Sequence, residues 1–202
     1  RLYIGTCDGI ECLNLGTMEY ESLNSVKKQF PHIIVSSIYE DKQGVMWLGT
    51  SVGLLKLNKN RELVKHFNSD DGLSNNVINR IEADDDNNLW LSTNYGLNKF
   101  DIKSNTFLNF YSSNGLQGNE FSRSASTKDD VGNLYFGGIN GFNVFNPNGV
   151  DVSGFEPKVI FNSFKVNGIN IKDISSNKLK CSENNIEVSF FTNNYVNTKA
   201  TQ

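Results

Sequence analysis

A motif recurs four times at a period near 44 residues, and each full copy resolves into four short alternating strands with no helical periodicity between them. These observations predict an all-β chain. The expected architecture is a partial β-propeller of about three and a half four-stranded blades, followed by a truncated immunoglobulin-like β-sandwich.

The repeat carries the prediction. Trp47-Leu-Gly-Thr-Ser-Val-Gly-Leu-Leu-Lys-Leu-Asn58 returns as Trp90-Leu-Ser-Thr-Asn-Tyr-Gly-Leu-Asn-Lys-Phe-Asp101 and again as Tyr135-Phe-Gly-Gly-Ile-Asn-Gly-Phe-Asn-Val-Phe-Asn146. A degenerate copy, Tyr3-Ile-Gly-Thr-Cys-Asp-Gly-Ile-Glu-Cys-Leu-Asn14, opens the chain. The turn glycines Gly9, Gly53, Gly96 and Gly141 are 44, 43 and 45 residues apart. In the second copy, Ser37–Glu40, Met46–Thr50, Leu54–Leu57 and Leu63–Phe67 read as strands by their period-2 alternation, separated by Gly- and Asn-containing turns. A four-stranded sheet buries little alone, so neighbouring blades must cover its faces. Trp47, Trp90 and Tyr135 supply one large ring per copy and are assigned to the inter-blade core. Asp71-Gly-Leu-Ser-Asn-Asn-Val77 and Asn114-Gly-Leu-Gln-Gly-Asn-Glu120 lead into the first strands of successive blades, and Arg80 and Arg123 each follow the loop glycine by 8 residues.

The blade pattern stops at Phe145-Asn-Pro-Asn148. Residues 1–148 are therefore read as propeller, 149–156 as a linker, and 157–202 as the opening of a second β module. There, Val159–Val166 and Ile169–Ile171 flank Asn167-Gly168, a strong hairpin signal, and Asn185–Phe191 alternates as a further strand. The 46 residues after 156 are too few for a sandwich of roughly 100 residues.

Composition is that of an ordinary globular chain: 202 residues, 38% hydrophobic, 20% charged, net charge −3. So weak an acidic balance gives no electrostatic case for nucleic acid or an anionic membrane surface. Cys7, Cys12 and Cys181 are odd in number and lack CxxC spacing, so neither a disulfide framework nor a metal knuckle is expected. No apolar run approaches the roughly 18–20 residues that span a bilayer, and Arg1–Gly5 reads as a strand rather than a signal peptide.

At this point a family resemblance emerges. Ile38-Tyr-Glu-Asp-Lys-Gln-Gly-Val-Met-Trp-Leu-Gly-Thr50 resembles the two-component regulator propeller repeat of bacterial hybrid two-component sensors. Gly118-Asn-Glu-Phe-Ser-Arg123 with Gly132–Phe142 resembles the final blade of those sensors, and Phe164-Lys-Val-Asn-Gly168 with the Asn185–Tyr195 stretch resembles the start of the Tyr-rich immunoglobulin-like domain that follows. The resemblance implies a parent histidine kinase with its propellers on the periplasmic side of the inner membrane. A transmembrane helix would connect them to cytoplasmic kinase and output domains outside this sequence. It further implies detection of glycan-derived oligosaccharides and control of genes for carbohydrate use.

The sequence contains no phosphate-binding G-x-x-x-x-G-K-[ST] loop. His32 and His66 have no sequence-evident partner. Asp84-Asp-Asp-Asn-Asn88 begins like a calcium loop, but Leu89 and Tyr95 stand where an EF-hand needs Gly and Glu, so it reads as a solvated turn. No catalytic residue, metal site or cofactor is expected. A sugar-reading surface needs aromatics to stack on rings and Asn or Arg to bond hydroxyls. The rim shared by the loops entering first strands and the second-to-third-strand turns offers Asn75, Asn76, Arg80, Asn94, Tyr95, Asn119, Arg123 and Asn140. Asn is also a turn former. Three functions compete: a non-catalytic oligosaccharide sensor, a propeller scaffold for self-association or homodimerisation, and a propeller lyase or glycosidase. The blades show no convergent carboxylates for the last. Open blade faces at either end predict that the chain self-associates.

Overall fold

The computed structural model describes residues 1–150, 159–171, 180, 182 and 184–192, and the chain divides into two compact units, Arg1–Val150 and Asp151–Gln202. The first unit holds four antiparallel sheets. Blade 1 comprises β1 (Leu2–Thr6), β2 (Gly9–Asn14) and β3 (Glu19–Ser22). Blade 2 comprises β4 (Val35–Glu40), β5 (Met46–Thr50), β6 (Gly53–Leu57) and β7 (Leu63–Phe67). Blade 3 comprises β8 (Ile78–Ala83), β9 (Leu89–Thr93), β10 (Leu97–Asp101) and β11 (Thr106–Phe110). Blade 4 comprises β12 (Phe121–Lys128), β13 (Leu134–Gly138) and β14 (Gly141–Phe145). Each sheet is a meander whose neighbours in sequence are neighbours in space. One helix departs from the all-β expectation: α1 (Asn24–Gln29) connects blades 1 and 2 and buries Val26.

The blades stack face to face, and the repeat explains why. Met46–Thr50 and Leu89–Thr93 are buried at every position, as strands covered on both faces must be. One core cluster joins Trp47, Leu54 and Phe67 of blade 2 to Ile78, Ile81, Leu89, Leu91 and Phe100 of blade 3. A second joins Ile10 of blade 1 and Val26 of α1 to blade 2, and a third joins Trp90 and Leu97 of blade 3 to Phe121, Leu134 and Phe136 of blade 4. Trp47 lies 5.5 Å from the Phe100 ring, edge-on, and Trp90 lies 4.7 Å from Phe145. Each tryptophan thus bridges to the blade that follows its own.

Tyr135 is placed differently from its counterparts. It is half-buried and belongs to none of the three buried clusters. It opposes Val144 in the sheet, and Val144 and Phe142 are exposed. No described blade follows blade 4 to cover this face.

Two polar devices recur with the repeat. Asp41 Oδ1 accepts from the backbone N–H of Gln43 and Val45 while its Oδ2 accepts from Trp47 Nε1 at 3.3 Å. Asp84 repeats this with Asn88 and Trp90 (3.0 Å), and Asp129 with Val131, Asn133 and the Tyr135 hydroxyl (3.1 Å). One carboxylate therefore orders the first-to-second-strand turn and satisfies the ring donor six residues on. The turn at 84–88 is not wholly solvated: Asp84 is 8% exposed. The second device is a hydroxyl-braced turn. Thr6, Thr50 and Thr93 donate to the carbonyls of Gly9, Gly53 and Gly96 and accept the backbone N–H of Asp8, Val52 and Tyr95. Gly53 and Gly96 hold φ of +130° and +101°, a region costly for a residue with a β-carbon.

In the second unit, β15 (Val159–Val166) pairs with β16 (Ile169–Asn170) through Asn167 and Gly168, both at positive φ, and with β17 (Ile186–Thr192). This is the tight hairpin that the Asn-Gly pair predicts. The linker expected over 149–156 lies, from residue 151 on, outside the described residues, as does Cys181. Among the described residues, no helix is long and apolar enough to cross a membrane.

Candidate functional site

The first strands of the blades lie side by side, tied by cross-blade bonds. Ser36 of β4 donates to Ile78 O, and Asn79 of β8 donates to Phe121 O at 2.8 Å; each clasp reaches 42 residues ahead. Ser36 and Asn79 occupy the same place in the register, where β4 and β8 each carry one extra residue against their partner strand. Ser37 Oγ accepts the N–H of Ile81, and Ser126 of β12 accepts from Arg80 Nε at 3.2 Å while donating to Glu82 Oε1.

The rim forms where these strands begin. Asn94 N–H donates to Val77 O, and Gly96 N–H donates to Asn119 O at 2.6 Å. The turn of blade 3 is thereby bound to the loops entering blades 3 and 4. Asn79, 1% exposed, sits beneath it: its Nδ2 bonds both Asn94 Oδ1 (2.9 Å) and Phe121 O. Asn140 joins the arc through its N–H, which donates to Gln117 Oε1.

The eight candidate residues divide by what they do. Asn75 Oδ1 accepts from Val77 N–H, Asn76 Oδ1 from Ser69 N–H and Asn119 Oδ1 from Ser112 N–H, so all three order the entry loops. Arg80 lies along the first strands, against Ser126. Asn94, Tyr95, Arg123 and Asn140 are exposed. The two histidines do have partners. His32 Nδ1 lies 2.9 Å from Asp8 on the surface, and His66 donates to Val52 O at 2.8 Å, bracing the turn of blade 2. Among the described residues, no three His, Cys, Asp or Glu side chains gather where a metal could sit.

The seam between blades 3 and 4 breaks the repeat in three ways. First, the strand that leads into the turn glycine (β1, β5, β9 and β13) has Gly5, Gly49 and Gly137 as its next-to-last residue in the other blades but Ser92 in blade 3. A β-carbon at Gly5 would lie 2.5 Å from Val35 O, and one at Gly49 2.7 Å from Ile78 Cγ2, so the next blade normally presses on this position. Ser92 is 1% exposed and its hydroxyl has no hydrogen-bond partner among the described residues. Second, Asn79 and Arg80 together oppose Ser92, whereas in β12 residues 122–125 oppose Gly137 alone. These two added residues account for the longer spacing of the last repeat. They put Ser124 at φ +57° and place Arg123 on an exposed bulge. Arg123 is therefore no counterpart of Arg80, despite the equal loop offset. Third, Tyr95 and Tyr111 stand where blade 2 has Val52 and Asn68. Their ring centroids lie 5.5 Å apart at 50°, and Tyr95 is 52% exposed.

Titration follows the turn device. Burial alone would push the Asp129 carboxyl up, but hydrogen bonds from Asn133, Tyr135 and Val131 bring it below the ordinary carboxylate range; the same bond raises the Tyr135 phenol. From the sequence, Asp41 and Asp84 are placed only in turns, and Asp129 and Asn79 are assigned no role. The Asp-to-ring interval of six residues in three copies was a legible signal for the aspartates; nothing in the sequence marks Asn79 apart from the chain's many other asparagines.

Comparison with known proteins agrees with the repeats. The Two component regulator propeller family matches residues 29–52 and 72–95, covering the first two strands and their turn in blades 2 and 3. No curated protein sequence matches the chain. Among solved structures, the extracellular domain of the hybrid two component system BT3049 from B. thetaiotaomicron is 28% identical with a TM-score of 0.66, over 88% of this chain and 24% of that one. That of BT4673 from the same organism is 19% identical with a TM-score of 0.61, over 93% and 25%, a likeness of fold. PorZ, a surface component of the type-IX secretion system of Porphyromonas gingivalis, shares the fold at 12% identity and a TM-score of 0.54, over 94% and 38%. The chain thus spans about a quarter of the length of the two-component domains it matches. It carries two-component regulator propeller repeats, built as they are in the extracellular domains of hybrid two-component systems.

Proposed function

We propose that this chain is an extracytoplasmic segment of a hybrid two-component sensor histidine kinase that detects glycan-derived oligosaccharides and thereby controls transcription of carbohydrate-utilisation genes. The observation that carries the reading is the likeness to the BT3049 extracellular domain, together with the matched repeats. The polar rim of blades 3 and 4 is the surface best suited to the ligand. It presents Asn and Arg donors and an exposed ring on turns that backbone hydrogen bonds tie to the neighbouring loops. Ligand would bias how the parent's domains pack, and that bias would reach the kinase domains. In this reading residues 157–202 open the immunoglobulin-like domain between propeller and membrane. A thermal-shift screen of the complete extracellular domain against oligosaccharides from several glycans tests it. A rise in Tm with one glycan class is expected; no shift with any oligosaccharide contradicts it.

One observation favours a second role in self-association. Phe142, Val144 and Val131 of blade 4 are 66%, 51% and 74% exposed around the half-buried Tyr135. Light scattering of the chain should show a dimer or larger species, and a clean monomer would refute this role.

A further inference from the structure

We infer that Tyr95, backed by Tyr111, is the stacking platform for one pyranose ring of the ligand; this rests on the oligosaccharide reading above. The four copies of this turn (β1–β2, β5–β6, β9–β10 and β13–β14) allow the residue to be judged against its equivalents. The position before the turn glycine is Asp8, Val52, Tyr95 or Asn140, and the turn closes in every copy. Blades 1, 2 and 3 close it with the same Thr brace, so nothing in the turn calls for a ring at 95. Tyr111 likewise stands where blade 2 has Asn68, and both residues precede a short 3-10 turn. Two rings absent from the matching place in blade 2 meet here, and one of them remains half in water.

The chemistry around them selects the occupant. One face of a β-linked pyranose is a patch of C–H groups, which an aromatic face with its negative quadrupole attracts, while the ring edge carries hydroxyls. Tyr111 packs on Gly96, where a β-carbon would lie 3.1 Å from its ring, so the pair is held by the turn itself. Asn94 is an exposed residue that uses its Oδ1 on Asn79, while its Nδ2 makes no hydrogen bond among the described residues, leaving a donor for a hydroxyl beside the ring.

The test uses the complete extracellular domain and calorimetric titration with cellobiose, galactobiose, laminaribiose, xylobiose and mannobiose. At least one disaccharide is expected to bind. Tyr95→Ala is expected to weaken that binding by about tenfold or more, on the scale of one buried ring face. Tyr95→Phe should retain it, because the ring face and not the hydroxyl does the work. Val52→Ala, at the matching place in blade 2, should leave affinity unchanged. Equal affinity of wild type and Tyr95→Ala would overturn the platform while leaving the sensor reading standing. Binding of none of the five disaccharides would overturn both platform and ligand class.

Discussion

The seam between blades 2 and 3 and the seam between blades 3 and 4 are built from the same parts, yet only one follows the repeat. Both have a tryptophan reaching into the next blade, an aspartate beneath its indole, and a bulge residue clasping a carbonyl 42 residues on. The first seam has Gly49 where the next strand presses in; the second has Ser92, a two-residue insertion in the facing strand, and a pair of tyrosines above. What the seams share holds the fan together. Where they differ, the differences gather at one place on the rim, which is where binding chemistry is free to vary without cost to the fold.

Substitutions can break or sharpen this contrast. The largest effect is expected from the shared rings. Trp47→Ala and Trp90→Ala should each destabilise by about 3–5 kcal/mol in urea unfolding, and a clearly smaller loss at Trp90 would mean that the second seam is not packed like the first. Next come the clasps. Asn79→Ala leaves Phe121 O and Asn94 Oδ1 without their donor and should cost about 1–3 kcal/mol. Ser36→Ala should cost less, since it removes a single hydroxyl.

Ser92→Ala has the opposite sign. Removing a buried hydroxyl without a partner should raise stability by up to about 1 kcal/mol. Destabilisation there would show that Ser92 is bonded in solution and that the seam is less distinctive than described. The smallest effect concerns acid. Asp129 is held below the ordinary carboxylate range, so its stabilising contribution is complete above that range and fades as pH falls through the lowered folded value. Asp129→Asn should flatten the acid limb of the Tm profile relative to wild type.

The sequence was most informative where the repeat constrained it. Met46–Thr50 and Leu63–Phe67 form strands over the expected residues, and Asn167-Gly168 forms the expected hairpin, because alternation and turn chemistry are local and agree. The helix Asn24–Gln29 escaped notice because it is short, has no side-chain N-cap and buries only Val26, so no periodic stripe announces it. Arg123 looked like Arg80 because both lie eight residues past a glycine. Only the pairing register locates the two added residues ahead of Ser126. Of the rim, the sequence could not separate Asn75, Asn76 and Asn119, which are partly buried and whose oxygens serve the loops, from the exposed Asn94 and Asn140. An asparagine whose oxygen makes a turn and one whose side chain is left exposed read alike until its partners are known.

The central claim is that ligand contact is confined to the irregular seam. Amide hydrogen exchange of the complete extracellular domain, with and without a saccharide at saturating concentration, tests it directly. New protection is expected at residues 94–96 and 111–123, with unchanged exchange at the regular turn, residues 51–53. Protection at the blade 2 turn instead, or none at the blade 3 and 4 rim, would contradict it.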